Sequence, residues 1–429
     1  MKLNQSSDRS GQPEVVGDGI VSQLNLTDRE PAPFGHSALP AAPPAKERRL
    51  MRRRAAAVQT VILAAIIAVV LSFLGLIAAG LRSHGIGFSL GFLNQPAGFD
   101  ISEGLTIAHG PNGLTLEPFN SQQTYAQALV TGLYNTLVVS FISIILSTVL
   151  GVWVGVARMS KNWVVRNWAW AFVEFVRNTP LLIQIIFWYF AVLLQLPSLS
   201  DATLLHGALI ASRQGVFIPW LLATPAASSY GHFAEAAIVV FALGCLIRIR
   251  RLRRAAFVAS AGLLVLGLAI AGSPLRLDMP VASTFSVAGG AGFSPEMASL
   301  IIALSVYIAA FIAEVVRGAV GSIDKGQWEA AAALGLGQGE SLWVVVLPQA
   351  VRVILPSLGN LYVTLAKSTS FAIAIGFPDM FSVYGTVANQ SGRALEGLLI
   401  IMVAYLLISF TISALANLYN RHVMKKGAR

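Results

Sequence analysis

The chain has 429 residues, of which 55% are hydrophobic and only 12% charged, with a formal net charge of +10. Soluble domains carry about 25% charged residues because their surface meets water, so this composition excludes an ordinary soluble protein and points to one that faces hydrocarbon. Nucleic acid is excluded as the reason for the positive charge. The basic residues fall in short clusters beside apolar runs, near 48–54, 158–166, 248–254 and 421–429, where retained charge sets membrane topology.

Residues 1–54 are rich in Ser, Pro, Asp, Gln and Gly and lack apolar periodicity, which predicts a disordered cytoplasmic tail. Ala55 to Leu81 contains no charged residue. It is long enough to cross a bilayer, starts too late for a cleaved signal, and is expected to be a retained anchor. Residues 82–125 then form a non-cytoplasmic segment.

Further spans are expected near 126–156, 168–195, 233–249, 255–272, 296–317, 356–377 and 395–419, about eight in all. The fourth and fifth are short and flank a run of arginines too basic to cross, so they read as a hairpin with a cytoplasmic tip. A six-span version without that hairpin keeps the same ends inside. With eight, every basic cluster falls on one side, both termini are cytoplasmic, and 421–429 is a basic tail. The fold class predicted is an all-α polytopic membrane protein. No internal repeat is visible, which argues against a secondary transporter built from two related halves.

The segment after the sixth span is the most informative. Gln327 to Leu334 is a short run of strong helix formers with Glu329 in its first turn. Gly335 is placed to end it in a left-handed conformation. A second amphipathic stretch continues until Pro348, which is expected to break it. The product is a stubby helix-turn-helix with small alanine faces, suited to close approach by another protein.

The residues Glu329-Ala330-Ala331, then Gly335, Val345 and Leu347-Pro348, resemble the EAA signature of ABC importer permeases. Valine stands at 345 where isoleucine is usual, a physically small departure. The resemblance implies a type I importer transmembrane domain over 126–420, with a coupling loop near 318–350 that docks in a groove of an ATPase subunit. Gly326, Glu329, Ala330, Ala331, Gly335 and Pro348 are the coupling residues it implies.

Neighbouring segments resemble the polar amino-acid branch of that family: Gly132 to Leu137, Glu174 to Gln184, Ala313 to Gly318, and Lys367 to Ser370. The segment holding Gly91 to Gln95 and Gly98 to Ile101, with the insertion near 196–293, resembles the Q-type permease of general L-amino-acid importers. The resemblance further implies a second permease as heterodimer partner, two ATPase subunits that carry ATP and Mg, a periplasmic amino-acid-binding protein, and a bacterial inner membrane as location. No Walker-type glycine loop is present, so ATP and other cofactors are not expected on this chain.

Ionisable and polar residues within spans are costly and are candidates for function. Lys367 could face the translocation path and hold an amino-acid carboxylate, or could snorkel or pair with Glu314. Ser368, Thr369, Ser370 and Gln184 are substrate-path candidates, although Ser and Thr also pack helices together. Glu174 with Arg177, and Glu314 with Arg317, are spaced i,i+3 and are expected to form structural ion pairs. Asn135 and Thr136 are expected to knit helices together. The histidines lack metal-ligand spacing, so no metal site is expected, and the single cysteine, Cys245, excludes an intrachain disulfide. An ion-driven carrier or a membrane enzyme would need a mid-membrane carboxylate or a nucleophile with its base, and neither pattern appears.

Overall fold

A computed structural model describes residues 88–426, apart from 111–112, 203–208, 248 and 284–285, together with scattered positions between 58 and 80. The chain divides into two units, Met1–Gly87 and Phe88–Arg429. In the first, the described positions between 58 and 80 are helical and exposed. The expected tail 1–54 and the remainder of the anchor 55–81 lie outside the described residues.

The second unit opens with a short turn at Gly91–Asn94 and a hairpin of β1 (Leu105–Gly110) and β2 (Gly113–Pro118). Phe92, Phe119 and Tyr125 form a small apolar core there with Met380 and Val383. Helix α1 (Tyr125–Ala157) comes next. Its start is fixed by a capping box, in which Gln127 N–H donates to Thr124 Oγ1 at 3.3 Å and Thr124 N–H donates to Gln127 Oε1 at 3.0 Å. At 33 residues it is about 50 Å long, more than a hydrocarbon core requires.

The central element is α6 (Pro295–Gly321), with 67% of its apolar stretch buried. It lies against α1 along a stripe of small residues. A Cβ on Gly151 would stand 2.6 Å from Ile312, and one on Gly155 would stand 2.8 Å from Val316. Those glycines let two backbones approach so closely that β-branched side chains seat against bare helix. Around this pair gather Val139, Leu304, Ile308, Val346, Ile354 and Leu365, the main core.

The expected third span is not one straight helix. It is α2 (Trp163–Asn178) and α3 (Leu181–Ile186), the latter continuing through wide turns to Val192 and a tight turn to Gln195, with a bend of 105° between the two parts. Pro180 is the cause, because its ring excludes helical geometry from the residue before it, and Thr179 is extended at φ −97°, ψ 126°.

The insertion contains a real hairpin of α4 (Ala226–Leu246) and α5 (Arg250–Ala271). These helices pack mainly on each other. Gly244 meets Ala256 and Phe257, Gly267 meets Tyr230 and Phe233, and Ser260 Oγ donates to the Ala237 carbonyl at 2.9 Å. Only 6% and 11% of their apolar stretches are buried, so hydrocarbon has to cover the rest.

The loops on one side are not purely irregular, which modifies the all-α expectation in detail. Strands β3 (Ile210–Ser212), β4 (Gly215–Ile218) and β9 (Ala291–Phe293) form one sheet at the start of α6. β5 (Trp220–Ala223) pairs with β6 (Leu275–Asp278) at the open end of the α4–α5 hairpin, and β7 (Val281–Ala282) pairs with β8 (Val287–Ala288).

After α6 come α7 (Lys325–Ala333), a short turn at Gln338–Glu340, a wide turn at Ser341–Val346 and α8 (Leu347–Ser368). Tight turns at Thr369–Ile375, then α9 (Met380–Ser391) and α10 (Ala394–Lys426), complete the chain. Pro348 does not break the helix, contrary to expectation. It occupies the first turn of α8, where a missing N–H costs little, and the wide turn before it takes up the mismatch. The seventh span therefore runs unbroken from Gln338 to Ile375. Among the described residues six helices are long and apolar enough to cross a membrane, and the bent α2–α3 pair makes a seventh.

Candidate functional site

Helix α7 is built as a rigid knob. Asp324 caps its start, accepting from Gly326 N–H at 2.9 Å. Its end is a Schellman motif: Leu336 N–H donates to the Ala331 carbonyl at 3.1 Å and Gly335 N–H to the Ala332 carbonyl at 2.9 Å. Gly335 has φ +78°, the left-handed conformation its position in the sequence demands. With both ends satisfied, a nine-residue helix can hold its shape.

Gly326, Glu329, Ala330 and Gly335 lie on the exposed surface of this knob, joined by Leu334 at 81% exposure. Ala331 lies inward. It is 2% exposed and faces the chain's own bundle, so its smallness serves internal packing. Trp328 packs on the main core. Gln349 Nε2 on α8 donates to Gln327 Oε1 on α7 at 3.0 Å and to the Val345 carbonyl at 3.1 Å. The knob is thereby bolted to the membrane-spanning helix next in the chain.

The outward face of α8 carries Arg352, Asn360, Thr364 and Lys367, all exposed and separated by three, four or eight residues. Those spacings put them on one face of the helix. Polar groups on a spanning helix are not stably left to lipid tails, so this face needs another protein surface or water against it. Two cavities lie in the crevice between α8 and α10. One, about 590 Å³, is lined by Lys367, Ser370, Tyr405 and Ser409 amid apolar residues that include Phe381 and Met402. The other, about 100 Å³, is lined by Asn360, Ser413, Asn417 and Asn420.

The expected path residues separate on this geometry. Lys367 is exposed with no partner among the described residues, and the suggested pairing with Glu314 does not form. Glu314 is held instead by Arg317 and by Arg158 from the end of α1. Ser370 lines the larger cavity but donates its hydroxyl to the Lys367 carbonyl at 2.9 Å, and Ser368 donates to the Thr364 carbonyl at 2.9 Å. Each keeps lone pairs to offer, not a proton. Thr369 is fully buried and bonds the Ala366 carbonyl, so it is withdrawn from any path. Gln184 is also withdrawn. It is buried and gives its amide hydrogens to the Val176 and Thr179 carbonyls at 2.9 and 3.0 Å, stapling the bend at Pro180.

The Glu314–Arg317 pair forms as expected, but Glu174 and Arg177 do not pair. Glu174 accepts from Asn178 Nδ2 at 3.3 Å, while the Arg177 guanidinium lies 5.3 Å from the centre of the Phe311 ring. Arg177 is near enough to α6 for a cation–π contact to displace the local ion pair.

Asn135 and Thr136 do knit elements together. Asn135 Nδ2 donates to the Glu103 and Pro378 carbonyls at 3.0 and 2.9 Å, and Thr136 Oγ1 accepts from Met380 N–H at 3.0 Å. Sequence reasoning missed Asp379, fully buried at the start of α9, which accepts from Ser382 N–H at 2.9 Å and from Tyr405 Oη at 3.1 Å. Its position before a helix was a capping signal. Nothing in the sequence pointed to Tyr405 or Arg158 as partners, because both contacts cross between helices.

Comparison with known proteins decides the family. The amino-acid ABC transporter permease protein YhdX of Escherichia coli K12 is 37% identical over 377 residues, covering 83% of this chain and 92% of the relative. The chain belongs to the amino-acid ABC transporter permeases. Residues 258–426 match the family model described as the binding-protein-dependent transport system inner membrane component. The general L-amino acid transport system permease protein AapQ of Rhizobium johnstonii is 38% identical, covering 80% of this chain and 85% of that one. BztB of Rhodobacter capsulatus, a glutamate/glutamine/aspartate/asparagine transport system permease protein, is 33% identical over 84% of this chain and 93% of its own length. Coverage of this extent makes the permease similar to these relatives over most of its own length. As a family member it is a multi-pass inner-membrane subunit, and the family works with ATPase and binding-protein partners.

Proposed function

We propose that this permease carries L-amino acids across the bacterial inner membrane, paired with a second, different permease, driven by two ATPase subunits and fed by a periplasmic amino-acid-binding protein. The observation that carries the reading is the bolt between Gln327 and Gln349. It connects an exposed, doubly capped knob to the helix whose polar face ends at Lys367. ATP and Mg belong to the ATPase chains, and the side bearing α7 is cytoplasmic, as are both termini. When the ATPase dimer closes, it displaces the knob through Glu329, Ala330, Leu334 and Gly335. Gln327 passes that displacement to α8, whose outward face then changes its exposure to the two sides.

Lys367 supplies the positive charge that an amino-acid carboxylate needs in a mainly apolar cavity. The second permease covers the polar face of α8, which lipid cannot. Ser368 and Ser370, their protons committed to the backbone, are acceptors for the substrate ammonium.

The test is reconstitution in liposomes with the co-purifying subunits, measuring ATP hydrolysis stimulated by binding protein loaded with an amino acid. Glu329→Lys is expected to abolish stimulation and weaken ATPase association. Lys367→Met is expected to leave the complex assembled but raise the substrate concentration needed for transport at least about tenfold, the cost of one unpaired carboxylate. Normal transport by both variants would sink the proposal.

A further inference from the structure

The α4–α5 hairpin plays no part in the coupling and path argument, yet it carries the densest positive charge of the second unit. Arg250, Arg251, Arg253 and Arg254 all fall in the first turns of α5, and all are exposed. Among the described residues none of the four has an ion-pair partner. The acidic residue within the hairpin helices, Glu235, lies midway along α4, about 16 Å of helix from its end. Cations at a helix start are also opposed by the helix dipole. Four uncompensated charges in the least favourable place call for an anion outside the chain.

The surroundings of the hairpin say which anion. Both helices are apolar and almost wholly exposed along their length, so they stand in lipid. The charged tip therefore meets the membrane surface at the level of the headgroups. At about 100° per residue, the four arginines spread over an arc of about 160°, with Leu252 opposite its centre. Leu252 is 54% exposed and Ile249 61%. The tip is thus basic on one side and apolar on the other, the pattern of a segment seated at the headgroup–acyl boundary.

We infer that the arginine tip of the α4–α5 hairpin binds the phosphates of anionic phospholipids in the cytoplasmic leaflet. Its sidedness rests on the proposed function, in which α7 faces the cytoplasm. The hairpin leaves the membrane surface bearing β5 and β6, so a single crossing puts its tip on the α7 side. Guanidinium groups suit the task because their forked donors match phosphate oxygens. The hairpin becomes a lipid-held outrigger beside the moving bundle.

The test uses the full chain purified in mild detergent with its accompanying subunits. Native mass spectrometry is run with added phosphatidylglycerol, phosphatidylcholine or inorganic phosphate. The wild type is expected to retain phosphatidylglycerol over phosphatidylcholine by about tenfold or more. Replacement of all four arginines by glutamine should abolish the preference, and replacement by lysine should keep most of it. Cys245, the chain's single cysteine and exposed near the end of α4, reports sidedness through maleimide labelling of membrane vesicles. The lysine variant guards against a glutamine variant that inserts wrongly.

The inference is overturned by a preference that survives in the glutamine variant, or by equal retention of both lipids in the wild type. Complete displacement of lipid by inorganic phosphate would assign the site to a free anion. Loss of a protein subunit with lipid retention unchanged would assign it to a protein partner. Labelling of wild-type Cys245 from the periplasmic face would also overturn it. No transport is measured, so failure here leaves the amino-acid reading to its own test.

Discussion

Gln349 on α8 and Gln327 on α7 are 22 residues apart in sequence and joined by a 3.0 Å amide–amide hydrogen bond, with Gln349 also tied to the Val345 carbonyl. The bond spans the turn that separates the knob from the membrane. Removing it should loosen the transmission without unfolding either helix, since α7 keeps its caps. Gln349→Ala is expected to lower substrate-stimulated ATP hydrolysis about fivefold, the scale of one neutral hydrogen bond, with basal hydrolysis nearly unchanged. Gln327→Ala should do the same, and the double variant should be no worse than either single one. Additive losses would show that the two residues act separately.

Gly335 offers a different kind of test. A Cβ there meets nothing within 4 Å, but φ is +78°. The cost of a side chain is therefore backbone strain alone, about 1 kcal/mol for alanine and more for a β-branched residue. Gly335→Asn should be tolerated because asparagine visits the left-handed region, whereas Gly335→Val should fray the Schellman motif and weaken ATPase association. The comparison is made by the amount of ATPase retained on the tagged permease. Equal retention by Asn and Val variants would mean that the cap does not hold the knob's shape.

Gly335 and the two glutamines mark how far the sequence is legible. Gly335 can be read because its constraint is local: a helix end, a glycine, and a fixed spacing to Pro348. The apolar lengths are local too, and they locate α1, the α4–α5 hairpin, α6 and α10. The Gln327–Gln349 bond escapes because it depends on which helix stands beside which. Glu314 has its expected i,i+3 partner, but Arg158, 156 positions away, reaches it only through the packing of α1 on α6. Gln184 reads as a substrate-path candidate because it is a polar group in an apolar run, until the bend at Pro180 presents two carbonyls to its amide. Pro348 reads as a stop because its effect depends on the width of the preceding turn, which composition does not encode.

The α1–α6 contact yields a prediction about folding. A Cβ on Gly151 would strike Ile312 at 2.6 Å, in the most buried part of the bundle. Gly318, on the same α6 helix as Ile312, has nothing within 4 Å. Gly151→Leu is therefore expected to force the two helices apart and reduce the folded yield in detergent severalfold. Gly318→Ala should be neutral in yield and thermal stability, with a slight gain in helix propensity. The check is size-exclusion profile and melting temperature for both variants side by side. A monodisperse, wild-type-like Gly151→Leu protein would refute the close packing.

Glu103 gives the pH dependence. Its carboxyl lies in the loop before β1, where burial raises its pKa above the usual 4.5, with Glu296 pushing the same way and the Ser294 hydroxyl bond opposing. That hydroxyl donates to Glu103 Oε1 at 2.6 Å while also accepting Met297 N–H at 3.0 Å to cap α6. A carboxylate whose folded pKa is raised holds its proton more tightly in the folded chain than in the unfolded one. Its stabilising contribution is complete below the unfolded value and is lost as pH rises through the folded value. At pH 8 the ionised group is therefore a burden. Glu103→Gln keeps an oxygen for Ser294 and removes the charge. The variant is expected to melt about 2 °C above wild type at pH 8, with the gain vanishing as pH falls below 4.5. The measurement is a melting curve for both proteins across that range. A variant less stable than wild type at pH 8 would mean that the charged bond to Ser294 outweighs burial, reversing the sign of the effect at this loop.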